Sequence, residues 1–264
     1  AKRGGGRGEH STLSFCWDAA EEADTIYFAY CYPYTYTELC RDLNALESDT
    51  KRGAVIRRKP LCTTIAGNIC EHVLITDFAA SEELISSRPV VAISARVHPG
   101  ESNSSFMMRG IMRFLTGDSI EARALRARVL FLIVPMLNPD GVIVGNYRCS
   151  LSACDLNRRW LRPSARHHPT INAFKKLLLR TNAVQPIAMF VDLHGHSRKP
   201  NIFMYGCADR GSALLAQVFP LLLSKHSPNS FNFYSCSFSV KKSKECTARV
   251  VIHRELDLLT SYNL

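Results

Sequence analysis

Short apolar runs alternate with amphipathic segments along most of the chain. From residue 60 the runs HVLIT, RPVVAISARV, VLFLIVPML and IAMFVDL are short and contain β-branched residues, so each predicts a buried strand. The segments SNSSFMMRGIMRFLTG and TINAFKKLLLRTN have the spacing of helices, the first with a Ser or Asn cap and Gly117 at its end. Apolar strands that alternate with helices predict an α/β fold, a mixed, mostly parallel sheet with helices on both faces.

The chain before residue 60 has a less regular pattern. TYTELCRDLNAL predicts a helix with Thr35 or Thr37 near its N-cap. Residues 12–32 mix short β-type runs with an acidic turn, which indicates the last strands of an upstream β-domain. We therefore expect residues 1–24 to be a remnant of that domain and residues 25–264 to form the main domain. Because the start, AKRGGGRGEH, has no initiator Met and no apolar signal segment, we expect a piece of a longer chain.

Composition narrows the choice of function. The chain has 264 residues, 46% of them hydrophobic, and no apolar run near the roughly 18 residues that span a bilayer. Its ten cysteines include no CxxC pair, which favours reduced thiols over a disulfide framework or a zinc ribbon. The formal charge of +10 favours an acidic partner, whether nucleic acid, an anionic membrane or an acidic polypeptide. No RNP-type aromatic motif accompanies the Arg-Gly run at the start, so we expect no nucleic acid, and we expect no membrane partner.

Polar segments follow the last three of the four predicted strands, here counted as first, second and third. HPGE follows RPVVAISARV, NPDG follows VLFLIVPML and HGHS follows IAMFVDL. In parallel sheets, ligands bind at the carboxyl ends of the strands. His98 and Glu101 are three residues apart across a turn, and His194 ends the third strand. Each residue taken singly is more often an ordinary strand-end side chain. Together they make a three-ligand zinc set with an open position for a water, whose pKa zinc lowers to about 7.

The second strand is followed by NPDGVIVGNYR and then by CDLNRRW. Arg148, Asn157 and Arg158 are placed to donate hydrogen bonds to an anion, and arginine suits the bidentate recognition of a carboxylate. We expect Arg159 and Arg166 to face solvent instead.

HPGE, NPDG with the downstream NYR, DLNRRW and DLHGHS, in this order, resemble the zinc carboxypeptidase family. The forms YCYPYTYTEL, RVHPGES and DLHGHS are similar to its cytosolic carboxypeptidase branch, and the resemblance covers about residues 25 to 264. It implies that His98, Glu101 and His194 bind one Zn²⁺. It also implies that Arg148 stabilises the oxyanion, and that Asn157 and Arg158 hold the substrate's terminal carboxylate.

The same resemblance implies a substrate and a location. Members of this branch remove C-terminal or side-chain-branched glutamates, chiefly from tubulin tails, which implies a cytoplasmic protein associated with microtubules or cilia. An upstream β-sandwich domain is implied as well. In the branch, the general base is a glutamate in a stretch similar to SYTLE, which aligns here with SYNL and places that glutamate after Leu264. We therefore expect residues 25–264 to be incomplete at the C-terminal end and to lack the base, with Glu255, Asp257 and Glu245 as weak substitutes.

Preference for a glutamate side chain needs a basic partner, and Lys242, Lys244 and Arg249 are the candidates. Arg249 is favoured because it adjoins the apolar run VVI, which predicts a strand.

The sequence departs from the family at three loop positions. Ala153, Cys246 and Ala248 occupy places where the family tends to have Gly, which allows special backbone angles. A distorted loop there would affect activity without removing zinc binding.

Two other functions stay open at this point. An aspartoacylase-like zinc amidohydrolase would share the zinc ligands and a segment similar to DLNR. A non-catalytic binder of acidic tails would keep the site, or only its shape, without turnover.

Overall fold

The computed structural model describes residues 12–19, 21–22, 25–208, 211 and 213–264. Contacts divide the chain into two units, residues 1–32 and residues 33–264. In the first unit none of the described residues lies in a helix or a strand, and Phe28 packs edge-on against Phe15 and Trp17. The predicted domain boundary and the remnant of a β-domain stay predictions.

The second unit is built on a mixed β-sheet. Its described residues form the strands β1 Ile56–Thr63, β2 Ile69–Ile75, β3 Val90–Ala95, β4 Leu130–Val134, β5 Ile187–Leu193 and β6 Ser261–Asn263. The order across the sheet is β1-β2-β4-β3-β5-β6. β3 lies parallel to β4 and β5, and β5 lies parallel to β6, whereas β2 is antiparallel to both of its neighbours. The predicted mixed, mostly parallel sheet is confirmed.

Helices cover both faces of this sheet. The α-helices of the described residues are α1 Tyr36–Ser48, α2 Thr50–Val55, α3 Glu82–Ser87, α4 Ser102–Leu115, α5 Ile120–Arg128, α6 Pro139–Ile143, α7 Pro169–Val184, α8 Leu215–His226 and α9 Ala248–Leu256. Short 3-10 helices lie at Leu156–Arg158, Phe233–Ser235 and Lys242–Lys244. Because side chains alternate along a strand, β4 contributes to two cores. Phe131 packs in one core with Leu43 of α1 and Met112 of α4. Leu132 packs in the other core with Phe174 of α7 and with α9.

The two helices with predicted caps differ in how they begin. Helix α1 begins after Thr35, which forms a capping box with Glu38, as one of the two predicted N-caps. The predicted Ser or Asn cap of α4 is wrong, because Glu101 occupies its N-cap and makes no side-chain capping bond. The Glu101 carboxylate is turned to the histidines instead. Helix α4 ends at Leu115, close to the predicted stop at Gly117.

The predicted strand VVI is wrong, because residues 250–252 lie in helix α9. Three consecutive β-branched residues favour a strand, but Val250, Val251 and Ile252 are all buried against the sheet and its neighbours. This tertiary packing outweighs the local propensity. In the part of the chain that the structure describes, no helix is both long and apolar enough to cross a membrane.

Candidate metal centre

The register of the central strands brings the HPGE and HGHS segments together. β3 and β5 are parallel neighbours, with Ser94 opposite Asp192 and Ala95 opposite Leu193. His194 directly follows β5, and His98 follows β3 after two intervening residues. Both histidines therefore leave the sheet at the same edge, the carboxyl end of the parallel strands.

The three predicted metal ligands converge on one point. Candidate ligand atoms of His98, Glu101 and His194 all lie within 4.8 Å of one another, slightly wider than the about 4 Å expected from zinc bond lengths. Nδ1 of His98 is 2.8 Å from one Glu101 oxygen, and Nδ1 of His194 is 3.1 Å from the other. Two imidazole nitrogens and one carboxylate are a donor set of the kind that catalytic zinc takes, so these residues fit a zinc ion.

The three side chains are strongly coupled electrostatically. Burial raises the pKa of Glu101, but its bonds to His194 and His98 outweigh burial and hold the pKa well below the usual range. Burial lowers the pKa of His194, but the Asp192 and Glu101 carboxylates prevail and raise it to about 10. Without a metal, the site therefore favours an ionised carboxylate beside a protonated imidazole, and metal binding has to displace that proton.

Each histidine has a second carboxylate beside its Nε2 atom, on the ring side away from Glu101. Asp155 Oδ1 lies 3.0 Å from Nε2 of His98, and Asp192 Oδ2 lies 2.6 Å from Nε2 of His194. Burial raises the pKa of Asp155, but His98 and Arg148 outweigh it and hold the pKa below its usual range. Neither aspartate was predicted from the sequence. The available signal was position, since Asp155 opens DLNRRW and Asp192 stands two residues before His194.

Asp155 also holds Arg148, the residue predicted to stabilise the oxyanion. Arg148 donates to Oδ2 of Asp155 from Nε at 2.9 Å and from Nη2 at 2.7 Å. Arg158 lies farther from this carboxylate, at 4.0 Å, and donates to the Asn157 carbonyl at 3.0 Å. Both arginines line one pocket together with His98. The structure brings them together, and the roles in substrate binding stay predictions.

Asn157 connects this pocket to helix α9. Its buried side chain accepts a hydrogen bond from the Ala248 backbone at 2.9 Å, and its Nδ2 lies 3.3 Å from Nε2 of His194. Asp155 in turn accepts a bond from the Asn157 backbone at 2.9 Å. The DLNR segment is therefore held by its own aspartate with the asparagine amide beside the metal ligands.

The pocket has a volume of about 420 Å³ and a strongly basic wall. Among the described residues, the cationic side chains that line it are Arg148, Arg158, Lys199, Lys241, Lys244 and Arg249. Glu101 is the carboxylate of this lining, and it is engaged by the two histidines. A wall of this charge attracts anions.

The three candidates for glutamate recognition differ in position. Arg249 is 5% exposed, and its guanidinium donates to the Gly206 carbonyl and lies 3.4 Å from Cys207 Sγ, so burial lowers its pKa. Lys244 is exposed and lines the pocket from the end of the 3-10 turn Lys242–Lys244, and partial burial together with Arg158 and Arg148 lowers its pKa. Lys242 is exposed and is not part of the pocket lining, although Lys241 and Lys244 line it.

Gly195 and Ala153 both lie where the local backbone favours glycine, for different reasons. A Cβ on Gly195 would lie 2.7 Å from Asn103 Oδ1 and 3.1 Å from Glu101 Cγ, so DLHGHS needs glycine there. Ala153 has φ of 53°, a left-handed conformation that glycine adopts more easily. Cys246 and Ala248 are not among the described residues with positive φ, and Ala248 is the first residue of α9. The departure from glycine therefore bears on backbone strain at Ala153 alone of these three positions.

None of the three candidate substitute bases, all in the described part of the chain, lines the pocket. Glu255 pairs with Lys175 at 2.7 Å, Glu245 pairs with Arg254 at 3.1 Å, and Asp257 is the C-cap of α9. Leu264 does line the pocket, and its backbone carbonyl accepts from the His194 backbone at 2.8 Å. The expectation that the base follows Leu264 stays a prediction.

A mixed sheet with helices on both faces and a His-Glu-His cluster at its carboxyl edge is the arrangement of a metal-dependent hydrolase. The sequence profile of the zinc carboxypeptidase family matches residues 41–243, more than half of the chain. The chain belongs to the zinc carboxypeptidase family.

Comparison with individual proteins agrees with this assignment. Cytosolic carboxypeptidase 3 from Bos taurus is 44% identical over 254 residues, which cover 95% of this chain and 25% of that protein. Cytosolic carboxypeptidase 1 from Danio rerio is 45% identical over 284 residues, covering 99% of this chain and 24% of that protein. The crystal structure of a metallo-carboxypeptidase from Burkholderia cenocepacia superimposes with a TM-score of 0.74 at 25% identity, covering 88% of this chain and 60% of that one. The chain thus spans about a quarter of the length of these two cytosolic carboxypeptidases.

Proposed function

We propose that this protein is a zinc metallocarboxypeptidase that removes C-terminal or side-chain-branched glutamates from acidic protein tails such as those of tubulin. The observation that carries the proposal is the convergence of His98, Glu101 and His194 within 4.8 Å, beside a pocket with a basic wall. The names of the cytosolic carboxypeptidases that it is similar to support a cytoplasmic location. Association with microtubules or cilia is part of the proposal and follows from the proposed tubulin substrate.

His98, Glu101 and His194 would hold one Zn²⁺. Bound zinc lowers the pKa of water and polarises a substrate carbonyl. The protein's own contribution is to hold the ligands rigidly, since each ligand side chain already has partners at hydrogen-bond distance. Preorganised ligands need little rearrangement when the metal and the substrate arrive.

Substrate recognition at the chain end would use Asn157 and Arg158. Arg158 lies beside Asn157 in the pocket and can present its guanidinium to a terminal carboxylate. Arg148, oriented by two bonds to Asp155, would donate to the carbonyl oxygen as negative charge develops on it. The assignment of Asn157 and Arg158 requires a free C-terminal carboxylate on the residue that is removed.

Recognition of an acidic side chain would use Arg249 and Lys244. The Arg249 guanidinium is fixed by Gly206 and Cys207 and needs no further ordering, whereas Lys244 is exposed and has to be ordered by the ligand. Lys199 and Lys241, also on the pocket wall, would attract the acidic residues that precede the cleaved one.

The test uses the full-length protein and matched peptides that end in glutamate, leucine or an amidated glutamate. We expect zinc-dependent release of glutamate, abolished by a chelator and restored by Zn²⁺, with little cleavage of the amidated and leucine peptides. Comparable cleavage of the leucine peptide would contradict the acidic preference. Turnover of an N-acylated amino acid without peptide cleavage would support an amidohydrolase, and binding without any turnover would support a binder of acidic tails.

A further inference from the structure

Asp192 is a fully buried carboxylate in the central sheet. It is the next-to-last residue of β5, opposite Ser94 of β3 and Asn263 of β6, and it has no exposed surface. Its chain neighbours Val191 and Leu193 are buried in the apolar core. A carboxylate in such a place is costly unless its oxygens are well bonded.

Both oxygens of Asp192 have specific partners. Oδ1 accepts a hydrogen bond from Oγ of Ser94 at 2.7 Å, and Oδ2 lies 2.6 Å from Nε2 of His194. On the other side of the same imidazole ring, Nδ1 lies 3.1 Å from Glu101. The ring is thus held between two carboxylates, one in the sheet and one at the candidate metal position.

We propose that Asp192 is a positioning residue for His194. By accepting the Nε2–H bond, it fixes the imidazole tautomer and ring angle that leave the Nδ1 lone pair directed at the metal position. Ser94 fixes the carboxylate in turn. The inference rests on the proposed function, because it requires that His98, Glu101 and His194 hold a metal.

The support for His194 differs from the support for His98. Asp155, which backs His98, has a side chain that is 19% exposed and that is shared with Arg148. The Asp192 side chain has no exposed surface, so water cannot replace it when it is lost. Loss of a hydrogen-bonded partner behind a metal ligand typically lowers metal affinity about 10- to 100-fold. Because water has no access, we expect the Asp192 effect at the upper end of that range.

The experiment measures zinc affinity of the full-length protein by competition with a chromophoric chelator, and the electronic spectrum of the Co²⁺-substituted protein. We expect Asp192→Asn to lower the zinc affinity by about 100-fold and to alter the Co²⁺ spectrum. Ser94→Ala, which leaves the carboxylate in place but frees it to turn, should lower the affinity several-fold. Asp140→Asn is the matched control, because Asp140 is also buried and accepts from the Ala66 backbone at 3.0 Å and from Asn68 at 2.8 Å. It should lower thermal stability and leave the zinc affinity of the folded protein unchanged.

The outcomes separate this inference from the proposed function. Folded Asp192→Asn protein with wild-type zinc affinity and spectrum would overturn the inference and leave the proposed function intact. If Asp192→Asn does not fold, Ser94→Ala decides: a several-fold loss of affinity supports the inference, and no loss overturns it. A wild-type protein that binds no zinc would overturn both.

Discussion

The two sides of the pocket are built in different ways. On the metal side, His98 and His194 follow strand ends and have carboxylate partners at 2.6–3.1 Å on both ring nitrogens. The other group of lining residues belongs to residues 239–247, here called the basic loop, which present Lys241 and Lys244 from a largely exposed segment with one 3-10 turn, Lys242–Lys244. This difference agrees with the proposed roles, in which the sheet edge holds the metal ligands and the loop adjusts the substrate specificity.

The largest expected effect follows from the removal of a candidate metal ligand. His194→Ala should remove one of three zinc ligands, so that zinc content falls from about one per chain to near zero and peptide cleavage is lost. Metal analysis after dialysis and a glutamate-release assay measure the two effects. His196→Ala is the control, since His196 lies two residues along the chain and lines the pocket without joining the cluster. Retention of zinc by His194→Ala would show that the metal is bound elsewhere.

The next effect separates the roles of the two pocket arginines, Arg148 and Arg158. Arg148→Ala should lower kcat by about 10²–10³-fold, because it removes a donor to developing negative charge. Arg158→Ala should instead mainly raise KM, because it removes an interaction with the substrate's terminal carboxylate that exists before the reaction. Steady-state kinetics on one glutamate-ending peptide gives both values. Equal cleavage of free and amidated peptides by the wild-type protein would contradict the role of Arg158.

A smaller effect tests the basic loop. Lys241→Gln and Lys244→Gln together should lower kcat/KM for an acidic peptide by about tenfold at low ionic strength, and by less at high salt, because they weaken electrostatic attraction. Lys242→Gln is the control from the same loop for each single substitution, since it removes one positive charge outside the pocket lining. If all three substitutions act equally, net charge rather than position determines the effect.

The metal side also predicts a pH dependence of stability. In the metal-free protein, burial lowers the pKa of His194, but Asp192 and Glu101 raise it from 6.5 to about 10. Such a group contributes stability that is complete below its unfolded pKa and is lost as pH rises through its folded pKa. We expect the Tm of metal-free protein to fall from about pH 6.5 to about pH 10, and less so with zinc, which takes the place of the proton. Thermal melts of both forms, with His194→Ala as the variant that should lack this slope, test the point.

The same division explains what could be predicted from the sequence. Apolar runs of strand length, with polar segments after them, identified the sheet and its ligand edge, because alternation and strand ends are local signals. His98, Glu101 and His194 were found in this way. Asp192 was missed because it lies inside an apolar run. Its role depends on contacts with the neighbouring strand, which the local pattern does not show. The VVI part of helix α9 was wrongly predicted as a strand, because its conformation depends on burial by distant elements rather than on local propensity.

The smallest effect concerns the turn that leads into Asp155. Ala153 has φ of 53°, which costs an L-residue with a Cβ about 1–2 kcal/mol. The entropy of glycine in the unfolded chain offsets about 0.5–1 kcal/mol of that cost. Ala153→Gly should therefore raise the free energy of unfolding by about 0.5–1 kcal/mol.

Ala248→Gly is the matched control, because Ala248 begins a helix where glycine has no conformational advantage, and it should destabilise by up to about 1 kcal/mol. Denaturant unfolding of both variants measures the difference. Ala153→Gly should leave the zinc affinity unchanged, because Asp155 is already held by His98 and Arg148. A change in zinc affinity would mean that the turn, and not only the sheet edge, sets the geometry of the metal side.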